Sequence, residues 1–370
     1  MRILVTGGAG FIGSHLVDAL VTAGHQVRVL DNFDAQVHGD RKPDYLNPRA
    51  EYQQGSVAHR ETLHKALEGV EAVFHFAAAV GVGQSMYQIE HYVSVNVLGT
   101  AILLDLIVNE KHVLKRLVVA SSMSIYGEGQ SRCSACGPVV PSLRPTVQLE
   151  HRQWDVLCPT CGKPTVAEPT SEEKPLRPTS VYAVSKRDQE ELVLSVGHGY
   201  GIPAVALRFF NVYGPRQALS NPYTGVCAIF SARIKNRKPP IIFEDGQQTR
   251  DFVSVHDIVQ ANVLALSHPD APGRALNVGT GRATNLVDIA RTLGTLYGYS
   301  EAPEITQKFR AGDIRHCAAD IRAIAALGYR PTVTLEDGLR ELAEWGRRID
   351  AKDRVEQAAQ ELVTRGLTKG

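Results

Sequence analysis

The 370-residue sequence has no surplus of either charge: 40 Lys and Arg stand against 39 Asp and Glu, a net charge of +1 at pH 7. Binding to nucleic acid or an anionic membrane draws on a basic surface, and this balance gives no sign of one. No uninterrupted apolar run approaches a membrane span, and the run near Ala101–Val108 is broken by Asp105. The N-terminal stretch Ile3-Leu4-Val5 meets Gly7 too early for the core of a secretory leader. Internal repeats and low-complexity tracts are missing. Cysteine is sparse, six in all. That excludes a disulfide framework and fits a reducing compartment, where clustered thiols are metal ligands. These absences predict a cytoplasmic protein with neither nucleic acid nor membrane as partner. Hydrophobic content of 44% is that of an ordinary globular chain, long enough for two lobes.

What is present alternates. Arg2–Thr6, Gln26–Asp31, Glu71–Phe76, Arg116–Ser121 and Ala204–Phe210 read as buried strands. Between them lie helical patterns, the first carrying Phe11, Ile12, Leu16, Ala19 and Leu20, a long one over Ile89–Glu110, another over Tyr182–Val196. Such alternation predicts an α/β Rossmann fold with a doubly wound parallel sheet. Short strands at Ile241–Phe243 and Ala275–Val278, with helices Leu286–Leu296 and Leu335–Arg347, predict a smaller C-terminal substrate-binding lobe. The expected division is 1–127 and 171–213 for the dinucleotide domain, with 255–278 returning to it. Residues 214–254 and 279–345 form the substrate lobe, and 346–370 a helical tail. Residues 128–170, rich in Pro, Gly and Cys, read as an insert.

Gly7, Gly10 and Gly13 follow the first strand and open the first helix. In that context glycines let the backbone and the helix N-terminus approach a pyrophosphate. An ordinary glycine turn is the bland alternative. Asp31 ends the second strand, 18 residues after Gly13. A carboxylate there accepts from ribose hydroxyls and repels a 2′-phosphate, which selects NAD over NADP; a capping aspartate is the alternative. Tyr182 and Lys186 stand one helical turn apart, so both reach one cleft. An ammonium beside a phenol favours phenolate, giving a base for an alcohol that also loses hydride.

Ordered motifs add to this: Thr6–Gly13, Phe74-His-Phe-Ala-Ala78, Asn96, Ser121-Ser-Met-Ser-Ile-Tyr-Gly127, Tyr182-x-x-x-Lys186, Arg208–Pro215, Arg250-Asp-Phe252, Asn277–Gly281 and Arg310-Ala-Gly-Asp313. In them the chain resembles the extended short-chain dehydrogenase/reductase family, the NAD-dependent nucleotide-sugar epimerases and dehydratases, from Met1 to about residue 345 outside the insert. The resemblance implies a catalytic set of Ser122, Tyr182 and Lys186. It implies cofactor contacts at Gly7, Gly10, Phe11, Ile12, Gly13, Asp31, Asn32, Ala77 and Asn96, together with Tyr182 and Lys186. Substrate contacts are implied at Ser122, Ser124, Asn211, Arg250, Arg310 and Asp313, the arginines clamping the diphosphate of a dTDP- or UDP-sugar. It further implies a homodimer, paired through the helices at Ile89–Glu110 and Tyr182–Val196. Ser56 stands where the family usually has an aspartate touching adenine.

Met123 and Ser124 discriminate within the resemblance. Dehydratases carry Asp-Glu after the catalytic hydroxyl residue, and glucuronate decarboxylases a glutamate at the second position. Neither carboxylate is here. The reading implied is a UDP-galactose 4-epimerase-like enzyme, in its finer features similar to dTDP-L-rhamnose 4-epimerases. It would oxidise C4 of the sugar transiently and reduce it on the other face. A dehydratase, dehydrogenase or reductase of the same family is the alternative. An NAD-binding scaffold or sensor is the alternative of another class, disfavoured because Ser122, Tyr182 and Lys186 are all present. Cys317 stands where galactose epimerases carry a bulky tyrosine, which would loosen the pocket; a small buried cysteine is the other reading.

Within the insert, Cys133-Ser-Ala-Cys136 and Cys158-Pro-Thr-Cys161 are separated by 21 residues. Two such pairs suit a closed tetrahedral Zn site, a zinc-ribbon-like unit that folds a segment poor in apolar residues. Free thiols are the alternative to zinc. Beyond folding the segment, a lid over the cleft or a partner contact stays open, and a nucleic-acid-binding ribbon is disfavoured by Glu150, Asp155 and Glu168 among its basic residues.

Overall fold

The computed structural model describes residues 1–39, 42–310 and 312–369. Ala311, inside the Arg310–Asp313 motif, lies outside the described residues. Seven parallel strands form the central sheet: β1 (Arg2–Thr6), β2 (Gln26–Asp31), β3 (Glu51–Gln54), β4 (Ala72–His75), β5 (Arg116–Ser122), β6 (Ala204–Phe209) and β7 (Arg274–Val278). Their spatial order is β7-β6-β5-β4-β1-β2-β3. The order reverses between β4 and β1, and a ligand crevice belongs at the C-terminal ends of the strands beside such a reversal.

The inner strands are near-continuous apolar runs because helices cover both faces. On one face α1 (Phe11–Thr22) packs with α6 (Val255–Ser267), burying Leu16, Val17, Leu20, Ile258 and Ala261 against Val5, Phe74 and Val118. On the other lie α2 (Arg60–Leu67), α3 (Ile89–Asn109) and α4 (Val181–Tyr200), whose Leu63, Leu103, Ile107 and Val193 meet Leu4, Val73 and Leu117. Each such side chain contributes about 1.5–3 kcal/mol by leaving water.

Helix α3 is 21 residues long with a mean hydropathy of 1.6, enough by length and composition to cross a membrane. Averaged hydropathy tolerates the Asp105 that interrupts the apolar run. The helix is nonetheless built into the fold, with Asn96 and Thr100 fully buried. Residues Val93–Leu98 form a π-turn, a local widening frequent at functional sites. The outer side leaves Ile89, Val93 and Leu98 exposed.

The second lobe assembles around α5 (Val226–Lys235), α7 (Leu286–Tyr297) and α8 (Leu335–Arg348), with Phe230, Ile289, Leu293 and Leu339 in its core. The last helix, α9 (Val355–Thr364), follows. The insert is not structureless: Gly137–Val139, Ser131–Cys133 and Thr165–Ala167 form a three-stranded antiparallel sheet. It does not hang free either. Gly129 N donates to His316 O (2.8 Å), and Thr170 bridges in parallel to Ala319.

Candidate active site

A cavity of about 420 Å³ opens where β1, β2, β4, β5 and β6 end. Gly7 has φ +70°, and a Cβ on it would strike Ala77 N at 2.8 Å; one on Gly13 would strike Gly7 O at 2.2 Å. These two are glycine because backbone lies against backbone. At Gly10 an added Cβ would meet only Gly7 O, at 3.3 Å, so that glycine leaves room for whatever occupies the cavity. Phe11, Ile12, Asn32 and Ala77 line the same space, as do Ser56 and Val57. Asp31 accepts from Ala9 N (3.0 Å) and Phe33 N (2.9 Å), which aims its carboxylate beside the glycine turn. Asn211 Oδ1, Gln217 Oε1 and His38 Nδ1 are buried cavity-lining atoms with no hydrogen-bond partner among the described residues, as expected of a site that takes polar ligand atoms. Gln217 and His38 escaped sequence reasoning, since neither sits in a motif.

Ser180 caps α4 by accepting from Ala183 N (3.1 Å), and the helix then presents Tyr182 and Lys186 to the cavity beside Ser122. Ser124 Oγ donates to Ser122 Oγ (2.9 Å), and Tyr182 is hydrogen-bonded to Ser122. Lys186 Nζ donates to Ala120 O and Gln189 Oε1, both at 2.9 Å. Burial holds this amine down to about 7 and pushes the Tyr182 phenol up. The expected lowering of the phenol by Lys186 is therefore not produced by the chain's own groups, because the amine is itself desolvated and turned toward Ala120 and Gln189.

Several motif residues prove to be braces. Asn96 does not line the cavity; it grips the loop after β4 through Ala79 N (2.8 Å) and Ala79 O (3.0 Å), and α4 through Ser185 Oγ (2.9 Å). Arg208 pairs with Glu190 (2.6 Å), one turn beyond Lys186, while Ser121 Oγ donates to the same carboxylate (2.6 Å). Asp251 accepts from Thr280 N (2.8 Å) and Gly281 N (2.8 Å).

Of the expected substrate residues, Ser122 and Asn211 line this cavity and the other four do not. Ser124, Arg250, Arg310 and Asp313 are not in its lining. Arg250 donates to Thr249 O (2.8 Å), Arg315 O (2.9 Å) and Ile314 O (2.7 Å). Arg310 donates to Asp313 Oδ2 (2.8 Å) and stacks over Phe243, 4.7 Å from the ring centre. Cys317 is 2% exposed and packs in the sheet core. Its place is thus that of a small buried residue, not a pocket wall; burial pushes its thiol up to about 11.

The four insert cysteines converge. Their Sγ atoms lie within 4.8 Å of one another, Cys133 and Cys161 at 3.5 Å. The N–H groups of Cys161 and Thr160 hold the Cys158 thiol down to about 6, and those of Ala135 and Cys136 lower Cys133. The neighbouring Cys161 and Cys158 push Cys136 up to about 12.

Residues 3–145 and 158–279 match the profile of the "NAD dependent epimerase/dehydratase family". The chain belongs to that family. The match passes through most of the insert, which is therefore less foreign to the family than its composition suggested; only 146–157 is skipped. A dTDP-L-rhamnose 4-epimerase of Burkholderia thailandensis is 36% identical over 357 residues, covering 95% of this chain and 97% of that one. A putative UDP-glucose 4-epimerase of Methanocaldococcus jannaschii is 32% identical, covering 93% and 97%. Among solved family structures, Thermotoga maritima UDP-glucose 4-epimerase with UDP-glucose superposes with a TM-score of 0.77 at 31% identity, covering 94% and 99%. Bacillus cereus UDP-glucuronic acid 4-epimerase with UDP-glucuronic acid and NAD does so with 0.77 at 29%, again covering 94% and 99%.

Proposed function

We propose that this chain is an NAD-dependent isomerase that inverts C4 of a dTDP- or UDP-sugar. One observation carries the reading. Ser122, Tyr182 and Lys186 face the cavity of the glycine turn, while among the described residues the carboxylates in its lining are Asp31 and Asp34, both in the segment at and after the end of β2. With Met123 and Ser124 in place of the acids of the dehydratases, proton transfer at carbons next to the keto group lacks its expected carboxylates. Proton exchange at one hydroxyl remains.

Gly7, Gly10, Gly13, Asp31 and Lys186 would hold the dinucleotide. When bound, it supplies a reversible hydride acceptor and, oxidised, a positive charge in the same cavity. Tyr182, as the phenolate that this positive charge would favour, takes the proton of the C4 hydroxyl, and Ser122 hydrogen-bonds that oxygen. The sugar, now a ketone at C4, then turns within the cavity, and Tyr182 returns the proton to the oxygen on the other face. Arg310 and Arg250 would hold the diphosphate, the latter after exchanging a backbone carbonyl. The likeness to the B. thailandensis enzyme favours a dTDP-sugar.

Two further features complete the reading. The convergent Cys133, Cys136, Cys158 and Cys161 fit Zn²⁺, since Zn–S bonds of about 2.3 Å place tetrahedral thiolates about 3.8 Å apart. The exposed Ile89, Val93, Leu98 and Val184 on α3 and α4 suit a homodimer. A cytoplasmic setting agrees with free thiols.

The test is incubation with UDP- and dTDP-sugars, products read by NMR, with the cofactor released by denaturation. Inversion at C4 without added nucleotide, and bound NAD(H), are expected. Tyr182→Phe should lose about 10²–10⁴-fold in turnover while still binding nucleotide. Elimination products, or a stoichiometric need for a reductant, would overturn the reading.

A further inference from the structure

We propose that Arg144, carried by the insert, is the positioning residue for Arg310, so that the insert forms one wall of the diphosphate site. The inference rests on the reading of Arg310 as a diphosphate ligand. Arg144 is 7% exposed and donates to both oxygens of Glu244, at 2.9 and 2.8 Å. Its Nη2 also donates to Asp313 O (3.1 Å), and Nε lies 3.3 Å from Glu128 Oε1. Glu244 directly follows Phe243, the ring under Arg310, and Asp313 holds the Arg310 Nε. One guanidinium thus grips both flanks of the Arg310 side chain.

The surroundings support this assignment. Glu244 sits at φ +55°, a backbone region that a non-glycine residue occupies when its neighbours over-determine it. Arg315 binds the same carboxylate (2.9 Å), and Glu128 in turn accepts from Arg315 N (2.8 Å). From the insert, Leu149 and Trp154 close a small apolar cluster on Phe309, the residue before Arg310. Arg310 itself remains 42% exposed, free to meet a ligand from an otherwise fixed base. A planar fork is required at position 144, since an ammonium reaches neither both Glu244 oxygens nor Asp313 O at once.

The experiment measures UDP and dTDP binding by calorimetry, steady-state kinetics on the sugar the enzyme turns over, NAD content and melting temperature. It compares wild type, Arg144→Lys, Glu244→Gln and Arg310→Ala. Arg144→Lys and Glu244→Gln should each weaken nucleotide binding and raise KM about tenfold, with kcat within about twofold and NAD content unchanged. Arg310→Ala should weaken nucleotide binding at least as much. If Arg310→Ala weakens binding while the other two leave KM unchanged, the inference falls and the diphosphate reading stands. If Arg310→Ala leaves binding unchanged, the diphosphate reading falls. Parallel losses of kcat, NAD content and melting temperature in both Arg144→Lys and Glu244→Gln would mark general damage and overturn the positioning role.

Discussion

His75 is wholly shut from water, and its neighbours dictate its state. Its Nδ1 lies 2.9 Å from Thr6 Oγ1 and its Nε2 3.0 Å from Thr100 Oγ1. The Thr100 hydroxyl proton is committed to Asn96 O (2.6 Å). Thr100 Oγ1 therefore accepts from Nε2–H, and Nδ1 accepts from Thr6. Gln189 Nε2 donates to the same Thr100 oxygen (2.9 Å) while Gln189 Oε1 receives Lys186. The chain of bonds from the glycine turn to Lys186 closes only around a neutral ring, and burial pushes this imidazole down to about 3. In the unfolded chain a histidine takes its proton near 6.5. Below that pH the unfolded state binds a proton the folded state refuses, so stability from this group falls as pH drops from 6.5 toward 3. The slope reaches about 1.4 kcal/mol per pH unit. Urea unfolding between about pH 4 and 6 should thus be steeper in pH for wild type than for His75→Gln; parallel curves would show that the ring adds nothing. In the sequence His75 is only one letter of a motif. Its partners at positions 6 and 100, and Gln189 behind Thr100, belong to three other elements, and no local periodicity announces them. Gly7, Asp31 and Tyr182 were legible because each sits at a strand end or helix start that the sequence pattern marks, and Ser122 because a family motif carries it.

At the scale of elements, the insert gives the sharpest expectation. One zinc per chain should be found by elemental analysis under reducing conditions. Cys158→Ser should loosen residues 128–170 and leave the parallel sheet folded, since metal binding in such segments supplies on the order of 10 kcal/mol of folding free energy. Hydrogen exchange confined to the insert would confirm this, and four freely reactive thiols with no metal would refute it. The strands of the insert were not legible because three residues are too few for a period. Strand β3 was missed for another reason: Glu51-Tyr-Gln-Gln54 lies at the sheet edge, with no buried residue among its four. The inner strands were legible from their apolar runs, and α1 and α4 from their spacing. The fate of Arg250 was not, because its carbonyl partners at 314 and 315 are brought to it by the second lobe.

The whole molecule carries apolar residues it does not cover. Ile89 is 53% exposed, Leu98 49%, Val184 44% and Val93 42%, on the two helices that also hold Asn96 and Tyr182. Light scattering should report a dimer at micromolar concentration, and Val93→Glu should shift it toward monomer; a monomeric wild type would exclude this interface. Helix α9 packs on the segment just ahead of Ile89, with Leu362 against Gly83. It buries only Ala358 and Leu362. Glu361 accepts from the phenols of Tyr87 (2.8 Å) and Tyr223 (2.7 Å), and Asp353, just ahead of the helix, pairs with Arg233 (3.2 Å). Beyond the helix Thr368–Lys369 pairs antiparallel with Phe309–Arg310, and Arg365 stacks over Tyr87; with so little apolar surface buried, the segment opens below the global unfolding free energy. Arg354 and Arg365 frame it, both exposed. Brief trypsin treatment therefore clips here first, and the rate of that cut is a direct clock of how often the C-terminal helix leaves Tyr87 and Tyr223 while the rest of the protein stays folded.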